Sequence, residues 1–334
     1  MAPMKYFYEL TVSSSPHAHG NFTTRRIMLD VILALCPALV GAICFFGFRA
    51  LTVTALSVAA CVFFEWGYRK IMKQDSTIGD LSAVVTGMLL AFVCPVTIPY
   101  WTIVIGDFFA IIVVKQLFGG IGKNFMNPAL AGRAFLFSWP VVMSTWVKPG
   151  FSNAAGIFST ADLVTGATPL ASLRAGSIPG EGIGKLFLGG VGGCIGETSA
   201  LLILVGFAYL LIRKVISPRI PLVYLGTVAV LTFLFPQGGD RLSWMAAEVF
   251  SGGLMLGAVF MATDYVTSPV TKWGQVIYAL GCGVITVVIR YFGSYVEGVS
   301  YAILVMNACA ALLDKVGRPR RFGTQPKAKK EGAK

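Results

Sequence analysis

A short polar segment between two long apolar stretches holds the residues best suited to chemistry in this sequence. It contains Asp162, Thr165, Gly166, Ala167 and Thr168 within seven positions. An aliphatic hydroxyl in an accessible loop is able to form a phosphoester, and glycine and alanine leave the neighbouring backbone open to a modifying enzyme. These residue types make a threonine hydroxyl of this segment a candidate for covalent modification.

The order of residues in this segment is Asp, two free positions, Ser or Thr, Gly, Ala and Thr, which resembles the recognition sequence of flavin transferases. These enzymes join the phosphate of FMN to a threonine hydroxyl, so the resemblance implies FMN on Thr168. Pro169 favours an extended backbone at Thr168, which keeps the hydroxyl presented. An ordinary turn is the alternative, because a short Thr-Gly-Ala-Thr string also arises by chance.

The composition is that of a polytopic membrane protein. Apolar residues make up 56% of the chain and charged residues 13%, and the apolar residues form long runs. A helix that crosses a bilayer needs roughly 20 apolar residues, or fewer where it is broken. We expect an all-α fold of about ten transmembrane helices, at residues 27–48, 50–66, 81–94, 101–118, 129–146, 186–212, 220–235, 245–261, 275–289 and 299–313.

The distribution of Lys and Arg predicts the orientation of these helices. With a cytoplasmic N-terminus, twenty Lys and Arg fall on the inner side and six on the outer side, with Arg133 inside a span. Cytoplasmic loops carry the excess of basic residues in membrane proteins. Both termini are therefore expected in the cytoplasm and the Thr168 loop outside, in a bacterial or archaeal cytoplasmic membrane.

A weak internal repeat relates the third to fifth stretches to the eighth to tenth. Residues 87–92 resemble 257–262, and 127–131 resemble 307–311. Two halves of five helices each must have opposite orientations, which predicts an inverted repeat with broken helices near the centre. The expected parts are a cytoplasmic tail (1–26), a first half (27–147), an extracytoplasmic flavin-bearing loop (148–185), a second half (186–314) and a basic cytoplasmic tail (315–334).

Several ionisable residues fall within or beside the apolar stretches, and the candidates for a functional role among them are Asp107, Arg133, Glu197, Glu248 and Asp264. Charge in hydrocarbon is costly and usually marks function. Asp107, Glu197 and Asp264 are our candidates for an ion pathway. A structural ion pair inside the helix bundle is the alternative for each of them.

Two other classes of function are disfavoured. The net charge of +12 comes from basic residues at membrane borders and in the tail, so we expect no nucleic-acid partner. The seven cysteines lie in or beside apolar stretches without a closely spaced pair. We therefore expect small buried side chains rather than an iron–sulfur or zinc framework of this chain's own, so no metal site is predicted.

Four segments together resemble the family of RnfD and NqrB, the large membrane subunits of ion-translocating electron-transport complexes. They are residues 13–17, 119–135, 162–168 and 260–269, and the resemblance covers essentially the whole chain. The short polar N-terminus favours the RnfD branch. An Rnf complex passes electrons between ferredoxin and NAD and couples them to Na+ or H+ movement, whereas an Nqr complex passes them from NADH to quinone.

The resemblance implies an electron relay that works only with partner subunits and a flavin transferase. It implies FMN on Thr168 and a second, noncovalent flavin such as riboflavin in the membrane interior. Asn124 and Asn127 are candidates to hydrogen-bond a flavin, and Arg133 to pair with a phosphate or an acidic side chain. No residue of this chain is expected to act as a catalytic group, since the redox chemistry belongs to the cofactor.

Two rival interpretations remain open at this point. A solute transporter of inverted-repeat design explains the helices and buried charges equally well, but not the flavin motif. A scaffold subunit that binds flavin and moves no ion is the other.

Overall fold

The computed structural model describes residues 23–147, 168–180, 182–293, 295 and 297–316, and their regular secondary structure is helical. The helices are α1 (Thr24–Phe46), α2 (Phe48–Ile71), α3 (Ser82–Phe92), α4 (Tyr100–Phe108), α5 (Pro128–Leu136), α6 (Pro140–Met143), α7 (Pro169–Arg174), α8 (Ile183–Leu188), α9 (Ala200–Ile212), α10 (Arg219–Leu234), α11 (Arg241–Phe250), α12 (Leu254–Leu256), α13 (Lys272–Phe292) and α14 (Val299–Val316). Helix α4 continues as a π-helix over Phe109–Gln116, and α12 continues as one over Gly257–Met261.

Several of these helices are built to cross a bilayer. Among the described residues, α1, α2, α13 and α14 are long and apolar enough to span it. Helix α11 and the helical segment Leu254–Met261 form a fifth candidate that bends by 63° at a short break. Helices α3, α9 and α10 are apolar but shorter. The prediction of an all-α, multi-pass membrane protein is confirmed at this level.

Besides the bent span over 245–261, two other predicted spans are not continuous helices. The span expected over 186–212 is interrupted between α8 and α9, where glycine occupies positions 189, 190, 192, 193 and 196. Glycine is a poor helix former, and Gly189 and Gly190 adopt positive φ angles of 107° and 96°. The span expected over 129–146 is interrupted because α5 ends at Leu136 and Pro140 starts a new short helix. Periodicity in apolar residues did not reveal either break.

Two of the non-helical segments hydrogen-bond to each other in the middle of the molecule. The Ile195 amide donates to the Cys94 carbonyl at 3.0 Å, and the Gly196 amide donates to the Phe92 carbonyl at 2.9 Å. Backbone groups in a membrane interior must find partners within the protein. The break after α3 and the break before α9 therefore satisfy part of each other's hydrogen-bonding requirement.

Three basic residues that were counted as loop charges are buried in the structure. Arg49 donates to the Val96 carbonyl at 2.8 Å and the Ile98 carbonyl at 3.2 Å, so it serves the break after α3. Lys115 and Arg290 are each paired with a buried carboxylate. Without these three residues, the predicted topology has nineteen Lys and Arg on the inner side and four on the outer side. The predicted orientation still has the larger number on the cytoplasmic side.

Candidate functional site

Thr168 is the first described residue after the gap at 148–167, and it caps helix α7. Its backbone is extended, as predicted for a residue that precedes proline. Its Oγ1 accepts a hydrogen bond from the Ala171 amide at 3.3 Å, and its side chain is half-buried. The other predicted motif residues lie outside the described residues: Asp162, Thr165, Gly166 and Ala167.

Thr168 lines a cavity of about 420 Å³, which we name the Thr168 cavity. Its walls come from the end of α5, from α6 and α7, from the glycine-rich segment before α9, and from the residues before α14. Phe137, Trp146 and Tyr295 contribute aromatic rings. Sites for small molecules and cofactors commonly measure about 300–1,000 Å³ and are mostly apolar with a few polar groups. The cavity is therefore large enough for a cofactor ring.

Arg133 is the fixed positive charge of this cavity. It is 2% exposed and forms an ion pair with Glu297, in the segment between α13 and α14. Its Nη1 also donates to Ser300 Oγ at 2.9 Å, and its guanidinium lies 5.4 Å from the centre of the Phe137 ring. Burial opposes ionisation of Glu297, but the Arg133 guanidinium outweighs it and the pKa of Glu297 is lowered. The pair is thus charged and rigidly held.

Two polar atoms at the wall of the Thr168 cavity have no hydrogen-bond partner within the described part of the chain. Glu197 uses Oε1 to accept from the Cys194 amide at 2.7 Å, and its Oε2 is buried without a partner. Nε of Arg133 is buried without a partner as well. An unsatisfied buried polar atom costs about 1–3 kcal/mol. A ligand in this cavity that carries both a donor and an acceptor would satisfy both atoms.

The same region contains a group of side chains with metal-ligand chemistry. Three ligand atoms lie within 4.8 Å of one another, one from each of Cys194, Glu197 and Glu297. However, the Arg133 guanidinium contacts two of them, since it pairs with Glu297 and lies 3.7 Å from Cys194 Sγ. A fixed cation among these ligands repels a metal ion. We therefore describe the group as a buried charge network.

A second cavity lies at the other end of α5. It measures about 100 Å³, and Asn124, Asn127 and Asp264 line it; we name it the Asn127 cavity. Asn127 caps α5 by accepting from the Ala129 amide at 3.0 Å, and its Nδ2 donates to the Met261 carbonyl at 3.3 Å. Both ends of its amide group are thus already used within the protein.

The structure therefore divides the predicted site residues between two cavities. Thr168, Arg133 and Glu197 line the Thr168 cavity, whereas Asn124, Asn127 and Asp264 line the Asn127 cavity. Helix α5 separates them, and its nine residues rise about 1.5 Å each, which gives about 13 Å. The sequence prediction named Asn124 and Asn127 for their amide hydrogen bonds and Arg133 for its charge, all three as candidates to contact a flavin. They face different sites because α5 carries them to its opposite ends.

Asp107 and Glu248 line neither cavity. Asp107 is fully buried in α4, where its Oδ1 accepts from Ser57 Oγ at 2.6 Å. Glu248 forms a buried ion pair with Arg290 at 2.8 Å. For Glu248 the structure therefore supports the alternative of a structural ion pair inside the helix bundle.

Comparison with known proteins shows to which family this chain belongs. The model of the NQR2, RnfD, RnfE family matches residues 11–323. The chain belongs to this family. The resemblance inferred from four sequence segments is confirmed, and it extends over nearly the whole chain.

Three similar relatives are D subunits of ion-translocating oxidoreductase complexes. The chain is 48% identical over 325 residues, 96% of this chain and 98% of the relative, to the D subunit of the Na(+)-translocating ferredoxin:NAD(+) oxidoreductase complex of Acetobacterium woodii. It is 44% identical, over 94% of this chain and 96% of the relative, to the D subunit of the proton-translocating ferredoxin:NAD(+) oxidoreductase complex of Clostridium ljungdahlii. It is 38% identical, over 91% of this chain and 93% of the relative, to the D subunit of an ion-translocating oxidoreductase complex of Stutzerimonas stutzeri.

Sequence reasoning did not single out several buried or largely buried charged residues, among them Glu297, Glu65 and Lys115. Glu297 was passed over because an acidic residue in a short loop is unremarkable until its partner Arg133 is known. Glu65 and Lys115 form a buried ion pair at 2.8 Å. Lys115 was counted as a charge on the cytoplasmic side, and Glu65, although it lies in the predicted span 50–66, was not named among the candidates.

Proposed function

We propose that this chain is the D-type membrane subunit of an Rnf-type ion-translocating oxidoreductase, that it carries FMN on Thr168, and that it relays electrons across the membrane. The single observation that carries the flavin part is that Thr168 lines a cofactor-sized cavity with an unpartnered acceptor and an unpartnered donor. The relatives named above support the assignment to an Rnf-type complex, which couples ferredoxin:NAD electron transfer to ion transport.

The residues of the Thr168 cavity suit a flavin. The isoalloxazine ring is flat and has one edge with alternating hydrogen-bond donors and acceptors. Phe137 and Tyr295 supply flat apolar surface, and their ring centroids are 5.6 Å apart. Glu197 Oε2 would accept from the ring edge and Arg133 Nε would donate to it, so both buried atoms would gain a partner.

Each of these residues then has a defined task. Esterification of Thr168 tethers the cofactor, and FMN supplies the electron-transfer chemistry when bound. Arg133 favours added negative charge in the cavity, since its guanidinium is fixed there and shielded from water. Glu297 holds that guanidinium in position. The protein would thereby determine the position of the flavin and how readily the flavin is reduced.

A noncovalent flavin such as riboflavin remains a prediction. The Asn127 cavity, at about 100 Å³, is well below the roughly 300 Å³ at which cofactor sites begin. Asn127 also uses its amide on the cap of α5 and on the Met261 carbonyl. A flavin at Asn124 and Asn127 would therefore need this cavity to widen.

For the membrane arrangement we propose ten helical spans in two inverted halves, with both termini in the cytoplasm and the Thr168 loop outside. Each of the ten predicted stretches contains helix in the structure, and the Lys and Arg bias supports the orientation. The location is a bacterial or archaeal cytoplasmic membrane. Other membrane and peripheral subunits are the partners, and a flavin transferase is needed for maturation.

The transported ion is Na+ or H+, and the relatives at 48% and 44% identity differ on this point by name. Asp107, Glu197 and Asp264 are the ion-pathway candidates. Asp264 accepts from Thr267 Oγ1 at 3.1 Å and lines the Asn127 cavity. An NqrB-type subunit is the runner-up, but the names of these two relatives favour the Rnf type.

The test replaces Thr168 by valine, which keeps the shape of the side chain and removes the hydroxyl. The chain is produced with a flavin transferase, denatured, and inspected for flavin fluorescence in a gel. We expect a fluorescent wild type and a dark Thr168→Val variant. Thr198→Val is the matched control, because Thr198 lines the same cavity, and it is expected to remain fluorescent.

Two results would reject covalent FMN on Thr168. One is a dark wild type although the transferase modifies a control substrate. The other is a Thr168→Val variant that fluoresces as strongly as the wild type.

A further inference from the structure

The first five helices contain a buried acid that no part of the proposed electron relay uses. Asp107 is fully buried, and its Oδ1 accepts hydrogen bonds from Ser57 Oγ at 2.6 Å and from Cys61 Sγ at 3.3 Å. Its Oδ2 is buried and has no partner within the described part of the chain. A hydroxyl and a thiol are weak compensation for a carboxylate in the interior of a membrane protein.

Within the described part of the chain, no basic side chain forms an ion pair with Asp107. The buried ion pairs in the described residues join Lys115 to Glu65, Arg133 to Glu297 and Arg290 to Glu248. An isolated carboxylate in a low-dielectric interior costs so much that it takes up a cation instead of staying bare. The occupant is either a proton or a metal cation such as Na+.

The surroundings of Asp107 favour the proton. A hard metal cation needs several oxygen ligands, whereas a proton needs one acceptor. Among the hydrogen bonds that Asp107 makes within the described residues, Ser57 supplies one oxygen and Cys61 supplies a sulfur. Cys61 also packs with Ala83 and Ile111 in an apolar cluster. Asp107 lines neither of the two cavities described above.

A chain of polar side chains leads from Asp107 towards the Asn127 cavity. Glu65 lies one helical turn beyond Cys61 on α2, and residues at this spacing are neighbours on a helix. Its carboxylate accepts from Lys115 Nζ at 2.8 Å, and it is 1% exposed. Lys115 also donates to Ser82 Oγ at 2.6 Å. Lys115 and Ser82 line the Asn127 cavity.

The backbone at this place is irregular as well. Helix α4 changes to a π-helix directly after Phe108, and the π-helix Phe109–Gln116 contains Lys115. Such turns are rare and occur frequently at functional sites. The irregular segment thus begins next to Asp107 and carries the lysine that faces the Asn127 cavity.

We propose that Asp107 holds a proton, and that this proton exchanges with the Asn127 cavity through Cys61 and the Glu65–Lys115 pair. In the forward step the Asp107 O–H bond breaks as an S–H bond forms on Cys61, and the S–H bond that Cys61 held before breaks as an O–H bond forms on Glu65. Asp107 thereby becomes charged and Glu65 neutral, whereas Cys61 returns to a neutral thiol and Lys115 keeps its charge. Glu65 then releases the proton to water in the cavity. The inference deepens the ion-transport part of the proposed function and is independent of the flavin.

The first experiment is infrared spectroscopy of the assembled complex, in which a protonated carboxyl shows a carbonyl band separate from those of ionised carboxylates. We expect a band in the wild type that is absent from the Asp107→Asn variant. Glu248→Gln is the control and should leave the band in place, because Glu248 is paired with Arg290. If wild type and Asp107→Asn give the same spectrum, Asp107 carries no proton.

The second experiment follows the exchange of this band in heavy water. Cys61→Ala should slow the exchange about tenfold or more, which corresponds to an added barrier of about 1.4 kcal/mol. Cys61→Ser keeps a group that can pass a proton and should exchange at nearly the wild-type rate. Equal rates in the wild type and Cys61→Ala would remove Cys61 from the route.

A third variant covers the case in which Asp107→Asn fails to fold. Ser57→Ala removes one donor to Asp107 and should shift the same band without abolishing it. A band that does not move would belong to another acid and would overturn the assignment. The flavin gel gives its answer separately, so failure of one proposal leaves the other standing.

Discussion

Replacement of Arg133 by methionine is expected to destabilise the folded chain by about 3–5 kcal/mol. Arg133 is 2% exposed and its partner Glu297 is largely buried, so the substitution leaves a carboxylate without its cation. It also removes the donor to Ser300 at 2.9 Å. The measurement is the unfolding transition of the purified complex in detergent, followed for this subunit.

Two variants make this prediction specific to the buried pair. Arg133→Met combined with Glu297→Gln removes both charges, and most of the lost stability should return. Arg213→Met is the surface control, because the Arg213 side chain is 47% exposed in its pair with Asp30. Exposed pairs contribute about 0–1 kcal/mol. A cost for Arg133→Met no greater than for Arg213→Met would contradict a buried, essential ion pair.

The stability result also governs how flavin content is interpreted. Arg133 lines the Thr168 cavity, so an Arg133 variant with little flavin is informative only if it is folded. The double variant separates the two effects. If it is stable and still binds less flavin than the wild type, Arg133 acts on the cofactor directly; if its flavin content is normal, Arg133 acts through the fold.

The sequence predicted those parts of the fold that depend on local composition. Apolar length located the helical stretches, and Pro169 predicted the extended backbone of Thr168, because both effects act within a few residues. The interruption before α9 was visible as a run of glycines, yet only the contact of Gly196 with Phe92 at 2.9 Å explains how a membrane protein tolerates it. That contact joins residues about a hundred positions apart.

The candidate site was predictable in its chemistry and only partly in its grouping. Thr168 followed from a motif, and Arg133 and Glu197 from their charge in an apolar setting. Their meeting at one cavity, and the separation of Asn127 from them, depend on how α5 packs against α3, α4 and α14. Glu297 illustrates the limit, since its role arises from a partner 164 residues away in the sequence.

The second large effect is expected at the contact between α1 and α9. Gly206 lies on α9, and a Cβ atom added there would stand 2.2 Å from the Ala34 carbonyl oxygen of α1. Helix α1 presents Ala34, Ala38 and Ala42 at four-residue spacing, and all three are buried. Small residues on both helices allow the close backbone approach that packs helices in membranes.

Gly206→Ala should therefore destabilise the chain by about 1–3 kcal/mol or more, because α1 and α9 must move apart and backbone cannot yield as a side chain does. Gly226→Ala is the matched control on α10, where an added Cβ meets no atom within 4 Å. Alanine is a better helix former than glycine by up to about 1 kcal/mol, so this control should be neutral or stabilising. The opposite signs of the two substitutions, measured as unfolding midpoints under one condition, separate packing from helix propensity. Equal midpoints would mean that the backbones of α1 and α9 are not in contact. Helix α9 and the segment leading into it border both cavities. The division of the polar residues between the two cavities would then lose its structural basis.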